Sequence, residues 1–126
     1  MLIESTKIKT DKGILDVSQI HTGMKVETEE GFRAVISNKK LRRKMRTFIL
    51  FQVRGDYLRF INRRFIVNGE EMYGIYVKKG DKLKTRDGEV IIKDKFMVRC
   101  FSSIYNLKVD SIKNGYFLLG NIINYM

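Results

Sequence analysis

The sequence predicts an all-β fold, a pseudo-two-fold assembly of two related β units, and three observations carry that prediction. Proline and tryptophan are absent, while six Tyr, eight Phe and many Ile and Val residues supply the side chains that suit a pleated, half-buried surface. Short alternating apolar runs are separated by glycine-rich turn signals throughout. The stretch GMKVETEEG that begins at Gly23 returns as GDKLKTRDG at Gly80, with the glycines, a lysine, a branched apolar residue, a threonine and an acid in register. The predicted units run from Met1 to about Ile61 and from about Asn62 to Met126, within one domain of residues 1–126. Neither could bury a β core alone, so the two must pack against each other.

Taken in order, Thr6, Ile8 and Thr10 alternate with lysines as a half-exposed strand, and Asp11-Lys12-Gly13 makes the first turn. Ile14 to Val17 and Ile20 continue the core face. Gly23 to Gly31 is a strand between two glycine turns, paired with Phe32 to Ile36. The run NKKLRRKMR from Asn38 to Arg46 holds six basic side chains and no acid, so like-charge repulsion predicts an exposed loop or ribbon. Phe48 to Val53 and Tyr57 to Ile61 flank Arg54-Gly55-Asp56, a tight reversal rather than an adhesion tripeptide. At the other end IYNLKV, the turn DSIKNG and YFLLG predict a closing hairpin from Ile104 to Gly120, followed by NIINYM.

Composition excludes several classes. The formal net charge of +11 and a pI near 9.9 predict attraction to nucleic acid, an acidic protein or an anionic surface. No apolar run approaches the eighteen or so residues of a membrane span, and no signal segment opens the chain, so a soluble, cytoplasmic protein without membrane partners is expected. The lone Cys100 cannot form an internal disulfide and is assigned to apolar packing. With one cysteine and one histidine, His21, the chain cannot assemble a four-ligand N/S zinc site; no metal or cofactor is expected, and His21 is read as a structural or exposed residue. Asp56, Asp81, Asp87 and Glu30 flank turns and form no carboxylate pair.

The closing residues IYNLKV, then YFLLGNIINYM, together with the repeated glycine strands, resemble the hedgehog/intein (Hint) family of self-processing domains. In that family the chain ends on a tyrosine-rich strand, a turn and a strand finishing in His and Asn, and the fold is built from two related β units. The resemblance spans essentially the whole chain, with Gly23, Gly80 and Asp81 where the family pattern wants them. The chemistry it implies is missing position by position. The family's opening Cys or Ser falls on Met1, whose thioether has neither thiol nor hydroxyl. The Thr-x-x-His motif is represented by Phe60-Ile61-Asn62-Arg63, and Arg63 holds its proton too tightly to shuttle it. The final His and Asn fall on Asn124 and Tyr125, and a phenol cannot cyclise as a carboxamide can. A register one residue earlier places Asn124 in the asparagine role and Ile123 in place of the histidine. The expectation is a degenerate site at Met1, Phe60, Arg63, Asn124 and Tyr125, with no upstream segment ahead of Met1 to process.

The resulting functional expectation is a catalytically inactive Hint-like domain, not an enzyme, that serves as a structural or interaction module. Its candidate patch is Lys39, Lys40, Arg42, Arg43, Lys44 and Arg46. The expected partners are other proteins, including virion head or tail components of a phage or mobile element in a host cytoplasm, with nucleic acid as a further partner of the basic patch. Two alternatives stand beside it: a basic nucleic-acid-binding β-barrel, and a Hint enzyme with residual self-cleavage.

Overall fold

The computed structural model describes residues Met1 to Met126. It is all-β, 64% strand, with three short 3₁₀ turns at Val17–Gln19, Gly74–Tyr76 and Ile112–Asn114 and no α-helix. No helix is long and apolar enough to cross a membrane. Thirteen strands follow one another: β1 (Leu2–Ile3), β2 (Lys7–Thr10), β3 (Gly13–Asp16), β4 (Lys25–Thr28), β5 (Gly31–Val53), β6 (Asp56–Phe60), β7 (Arg64–Val67), β8 (Glu70–Tyr73), β9 (Lys82–Thr85), β10 (Gly88–Ile91), β11 (Asp94–Val109), β12 (Tyr116–Leu118) and β13 (Ile122–Tyr125). One sheet has the order β11-β1-β6-β5-β4-β2-β3, and the other β10-β9-β13-β7-β8, with β12 paired to β13.

Local hydrogen bonding recurs 57 positions apart, from Lys7 to Arg64, Lys25 to Lys82 and Gly31 to Gly88. The Thr28 hydroxyl donates to the Gly31 carbonyl at 2.8 Å, and Thr85 donates to Gly88 at 3.0 Å. The Lys25 N–H donates to Asp11 Oδ1, and the Lys82 N–H to Asn68 Oδ1, each at 3.0 Å. These polar side chains close turns that need positive φ, as Gly31 (86°) and Gly88 (130°) supply. The two copies diverge beyond Gly31 and Gly88. β5 runs unbroken for 23 residues, whereas β10 and β11 are separate strands.

The core joins both halves. Phe51 and Phe60 from the first half and Phe65 from the second meet with centroids 4.9 to 5.4 Å apart, two of the three contacts edge-on. They belong to a cluster of 22 buried residues that includes Leu2, Val26, Leu83, Ile92, Leu107 and Leu118. A smaller cluster of Ile3, Phe48 and Ile104 lies on the opposite face of the long strands, with Cys100 half-buried at its margin.

Of the loop or ribbon expected for the basic run from Asn38 to Arg46, the structure has the ribbon: the run is the middle of β5, antiparallel to β11, with Lys39 opposite Asn106 and Arg46 opposite Cys100. An extended strand sends successive side chains to opposite faces, which separates like charges, while its backbone groups pair on one edge. From Lys39 to Phe48 the other edge of β5 has no partner strand, and lysines and arginines there also block edge-to-edge association. The closing hairpin, by contrast, differs from the expected one. β12 pairs with β13, not with β11, because Asn114 takes the place of a neighbouring strand. Its Oδ1 accepts from the Val109 N–H at 2.6 Å and its Nδ2 donates to the Leu107 carbonyl at 2.9 Å. Lys113 and Asn114 are both left-handed (φ 51° and 52°), which swings Tyr116 into the second sheet. The tight turn lies later, at Leu119 and Gly120 (φ 49° and 87°).

Candidate functional site

Where β1 meets β6, Met1 and Ile61 exchange backbone hydrogen bonds: the Met1 nitrogen donates to the Ile61 carbonyl at 2.6 Å, and the Ile61 N–H to the Met1 carbonyl at 2.9 Å. Asn62 then turns left-handed (φ 56°), which drives the Arg63 side chain inward, where it is 2% exposed. Arg63 Nε donates to Asn124 Oδ1 at 2.7 Å, and Nη2 to the Asn114 carbonyl at 3.1 Å. Its guanidinium carbon lies 4.6 Å from the centroid of the Tyr116 ring. Asn124, fully buried on β13, sends its Nδ2 back to the Tyr116 carbonyl at 2.6 Å. The β6–β7 corner and the last strand therefore share one polar network inside an apolar core, and the first strand joins the corner through the Met1–Ile61 backbone bonds.

That network contains no carboxylate. Burial pulls the Arg63 guanidinium below its ordinary pKa; the Tyr116 side chain opposes the shift and Arg64 adds to it. Burial pushes the Tyr116 phenol up, opposed by the Arg63 charge. A cation withdrawn from water with no anion beside it is costly, and two charge-assisted hydrogen bonds and the ring face offset that cost. Chemically the arrangement is a clamp. Asn124 has its oxygen and its nitrogen both engaged, Arg63 only donates, and Met1 brings no ionisable side-chain proton.

Of the five positions singled out from the sequence, the structure gathers Met1, Phe60, Arg63 and Asn124 and leaves Tyr125 out. Phe60 packs in the aromatic core against Phe51 and Phe65. Tyr125 alternates to the opposite face of β13, where its hydroxyl bonds Glu29, and burial together with that carboxylate raises its pKa. Tyr116 and Asn114, central to the network, are missed by sequence reasoning. A buried arginine demands acceptors and a ring face, and Asn-Gly-Tyr ahead of an apolar strand offers both. His21 is exposed, and no group of three or more His, Cys, Asp or Glu side chains is placed to hold a metal ion.

The basic patch divides in two. Lys39, Lys40, Arg42 and Lys44 are exposed and make no ion pair. Arg43 lies 3.5 Å from Glu4 and over the Phe101 ring, and Arg46 is tied to the Ser102 and Arg42 carbonyls at 2.6 and 2.8 Å. Beside the Arg63 corner lies a groove of about 370 Å³ between the 3₁₀ turn Gly74–Tyr76 and the face of β5 and β11 carrying Ile49 and Met97.

No protein-family model matches the sequence, and no curated protein matches it. Solved structures do match. An intein-like domain from Clostridium thermocellum superposes with a TM-score of 0.81 at 20% identity, covering 98% of this chain and 96% of that one. The MchDnaB-1 intein gives 0.78 at 15% identity over 100% of both chains, and the gp41-1 intein 0.75 at 16% identity over 99% and 97%. With β1, the β6–β7 corner and β13 converging at one point between two β units, the fold of this chain is the intein-like Hint fold.

Proposed function

We propose that this Hint-fold domain carries out no self-processing and serves as an interaction module, with the basic ribbon of β5 and β11 as its docking surface. The observation that carries the first half is the buried Arg63. It fills the convergence point of the fold with a side chain that only donates hydrogen bonds, and it engages Asn124, the one carboxamide of the final strand placed there. The second half is supported by four exposed cations free of ion pairs on a projecting strand edge, within a chain of net charge +11. The partners assigned to this ribbon are acidic protein surfaces, virion head or tail components among them, with contacts to nucleic acid through the same charges.

The test neutralises the free cations together, because single exposed pairs are worth only about 0–1 kcal/mol. Replacing Lys39, Lys40, Arg42 and Lys44 by Gln should shift the melting temperature by a few degrees at most, since each exposed change stays within about 0.5 kcal/mol in either direction. Retention on an anionic matrix and binding to duplex DNA should both fall. For DNA, the slope of log affinity against log salt should flatten by about 0.9 for each phosphate that the variant no longer neutralises. Unchanged binding by the variant would make the ribbon a solvated edge only.

A further inference from the structure

Five of the fourteen exposed large apolar side chains, Met45, Ile75, Tyr76, Met97 and Phe101, share one stripe of this molecule. At its lower end the groove beside Arg63 is walled by Ile75 and Tyr76, which are 52% and 69% exposed, and by Met97 at 56%. Antiparallel register continues the same face along the ribbon: Ile49 stands opposite Met97, Thr47 opposite Arg99, and Met45 opposite Phe101. Residues two apart on a strand share a face, so Met97, Arg99 and Phe101 form a row in the order apolar, cationic, apolar. Phe101 and Met45 are 59% and 51% exposed at the upper end. Arg99 is exposed, and no carboxylate is paired with it. The groove lining contains no acid, and the one acid near the upper end, Glu4, is held by Arg43.

We propose that this stripe binds an extended peptide segment of a partner protein in which two apolar residues flank an acidic one at positions i, i+2 and i+4. An extended chain advances about 6.7 Å every two residues, the same repeat as the row on β11, so side chains on one face of the ligand meet Met97, Arg99 and Phe101 in turn. The first apolar residue enters the groove against Ile75 and Tyr76, the acid pairs with Arg99, and the second apolar residue covers Phe101 and Met45. A nucleic-acid strand fits less well: Ile75, Met97 and Met45 offer no stacking plane, and Arg43 and Arg64 already sit 5.5 Å from the Phe101 and Tyr73 ring centroids, which leaves Tyr76 as the one uncovered ring of the stripe. The inference rests on the interaction-module reading but uses a surface distinct from the four free cations of the ribbon edge.

The probe is a fluorescein-labelled peptide, seven residues long and capped at both ends, with Leu at its second and sixth positions, Glu at the fourth and Ser elsewhere. Its controls carry Lys in place of Glu, or Ser in place of both Leu residues. Fluorescence anisotropy with the full chain should show saturable binding of the Leu/Glu peptide and at least about tenfold weaker binding of both controls, the scale of one partly desolvated charge pair. Met97→Ser should weaken the Leu/Glu peptide by about tenfold, and Arg99→Glu should reverse the preference in favour of the Lys control. The quadruple glutamine variant of the ribbon should bind the peptide as the parent does, which separates this surface from the ribbon reading. Thermal melts of Met97→Ser and Arg99→Glu should match the parent, since both residues are exposed. The proposal is overturned by no saturable binding, by equal affinity for Glu and Lys peptides, or by loss of binding only in the ribbon variant. Displacement by a thymidine decamer that Met97→Ser does not affect would assign the surface to nucleic acid. Concentration-dependent dimerisation in ultracentrifugation that Met97→Ser abolishes would assign it to a second copy of the chain. Either result also overturns the proposal.

Discussion

Asn124→Ala is expected to destabilise the fold by about 3–5 kcal/mol, because it leaves the Arg63 guanidinium buried without its main acceptor and removes a hydrogen bond to the Tyr116 carbonyl. For a chain of this size each kcal/mol lowers the melting temperature by about 3–5 °C, so the midpoint should fall by about 9–25 °C. Arg63→Met removes the buried charge together with its demand for partners, and orphans only neutral acceptors on Asn124 and Asn114. It should cost less, about 1–3 kcal/mol. The double change Arg63→Met with Asn124→Ala should cost less than the sum of the two singles, with a coupling of about 1–3 kcal/mol, since the second substitution removes groups that the first left unpaired. Urea denaturation of the parent, the two singles and the double reads all of this. Additive effects would mean that the two side chains do not act as one network.

The second large effect belongs to the aromatic core. Phe60→Ala should destabilise by about 3–5 kcal/mol, because the ring is fully buried, touches Phe51 and Phe65, and seals the two halves together. Gly74 depends on the same ring: a Cβ built there would overlap the Phe60 ring edge at Cε2 and Cζ. Gly74→Ala should therefore cost about 1–3 kcal/mol through overpacking, although its backbone conformation is one that alanine accepts. In a Phe60→Leu background the smaller side chain leaves room, and Gly74→Ala should then cost less than in the parent. Equal costs in both backgrounds would place the strain elsewhere. The equivalent position 57 residues earlier is Val17, itself buried, so the second unit requires glycine only because Phe60 occupies the space.

The parts of this fold legible in the sequence are those fixed by local chemistry. Gly31 and Gly88 each close a turn with a threonine three residues before them, and that grammar is written twice in the chain, so the hairpins and their recurrence can be read directly. Arg54-Gly55 is legible for the same reason, and both residues adopt the left-handed conformation (φ 55° and 86°) that a two-residue hairpin loop demands. The path of the last strands is not legible. Whether Tyr116–Leu118 pairs with β11 or with β13 is decided by Asn114, whose side chain satisfies β11 from within the turn, and composition gives no sign of that. The basic run is exposed, as its charge requires, but the choice between loop and ribbon is not legible, because exposure constrains side chains and says nothing about backbone pairing.

At the candidate site the legibility is uneven. Counting along the resemblance finds Met1, Arg63 and Asn124, which the fold brings to one point although 61 residues separate the last two. It also offers Tyr125, which strand alternation carries to the opposite face and toward Glu29. An arginine at 2% exposure is a rare outcome that no local pattern announces, and its partners Asn114 and Tyr116 are visible only once the second sheet is assembled.

That the converged site is a structural clamp without self-processing activity is tested most directly by mass spectrometry of a flanked chain. The chain is placed between two carrier proteins and held for several days at neutral pH, with and without dithiothreitol or hydroxylamine, before the intact mass is recorded. The clamp predicts one unchanged species under every condition, with the 14.8 kDa domain still joined to both carriers. Release of either carrier, or the appearance of the two carriers ligated to each other, would show that the site processes its own backbone and would contradict the clamp.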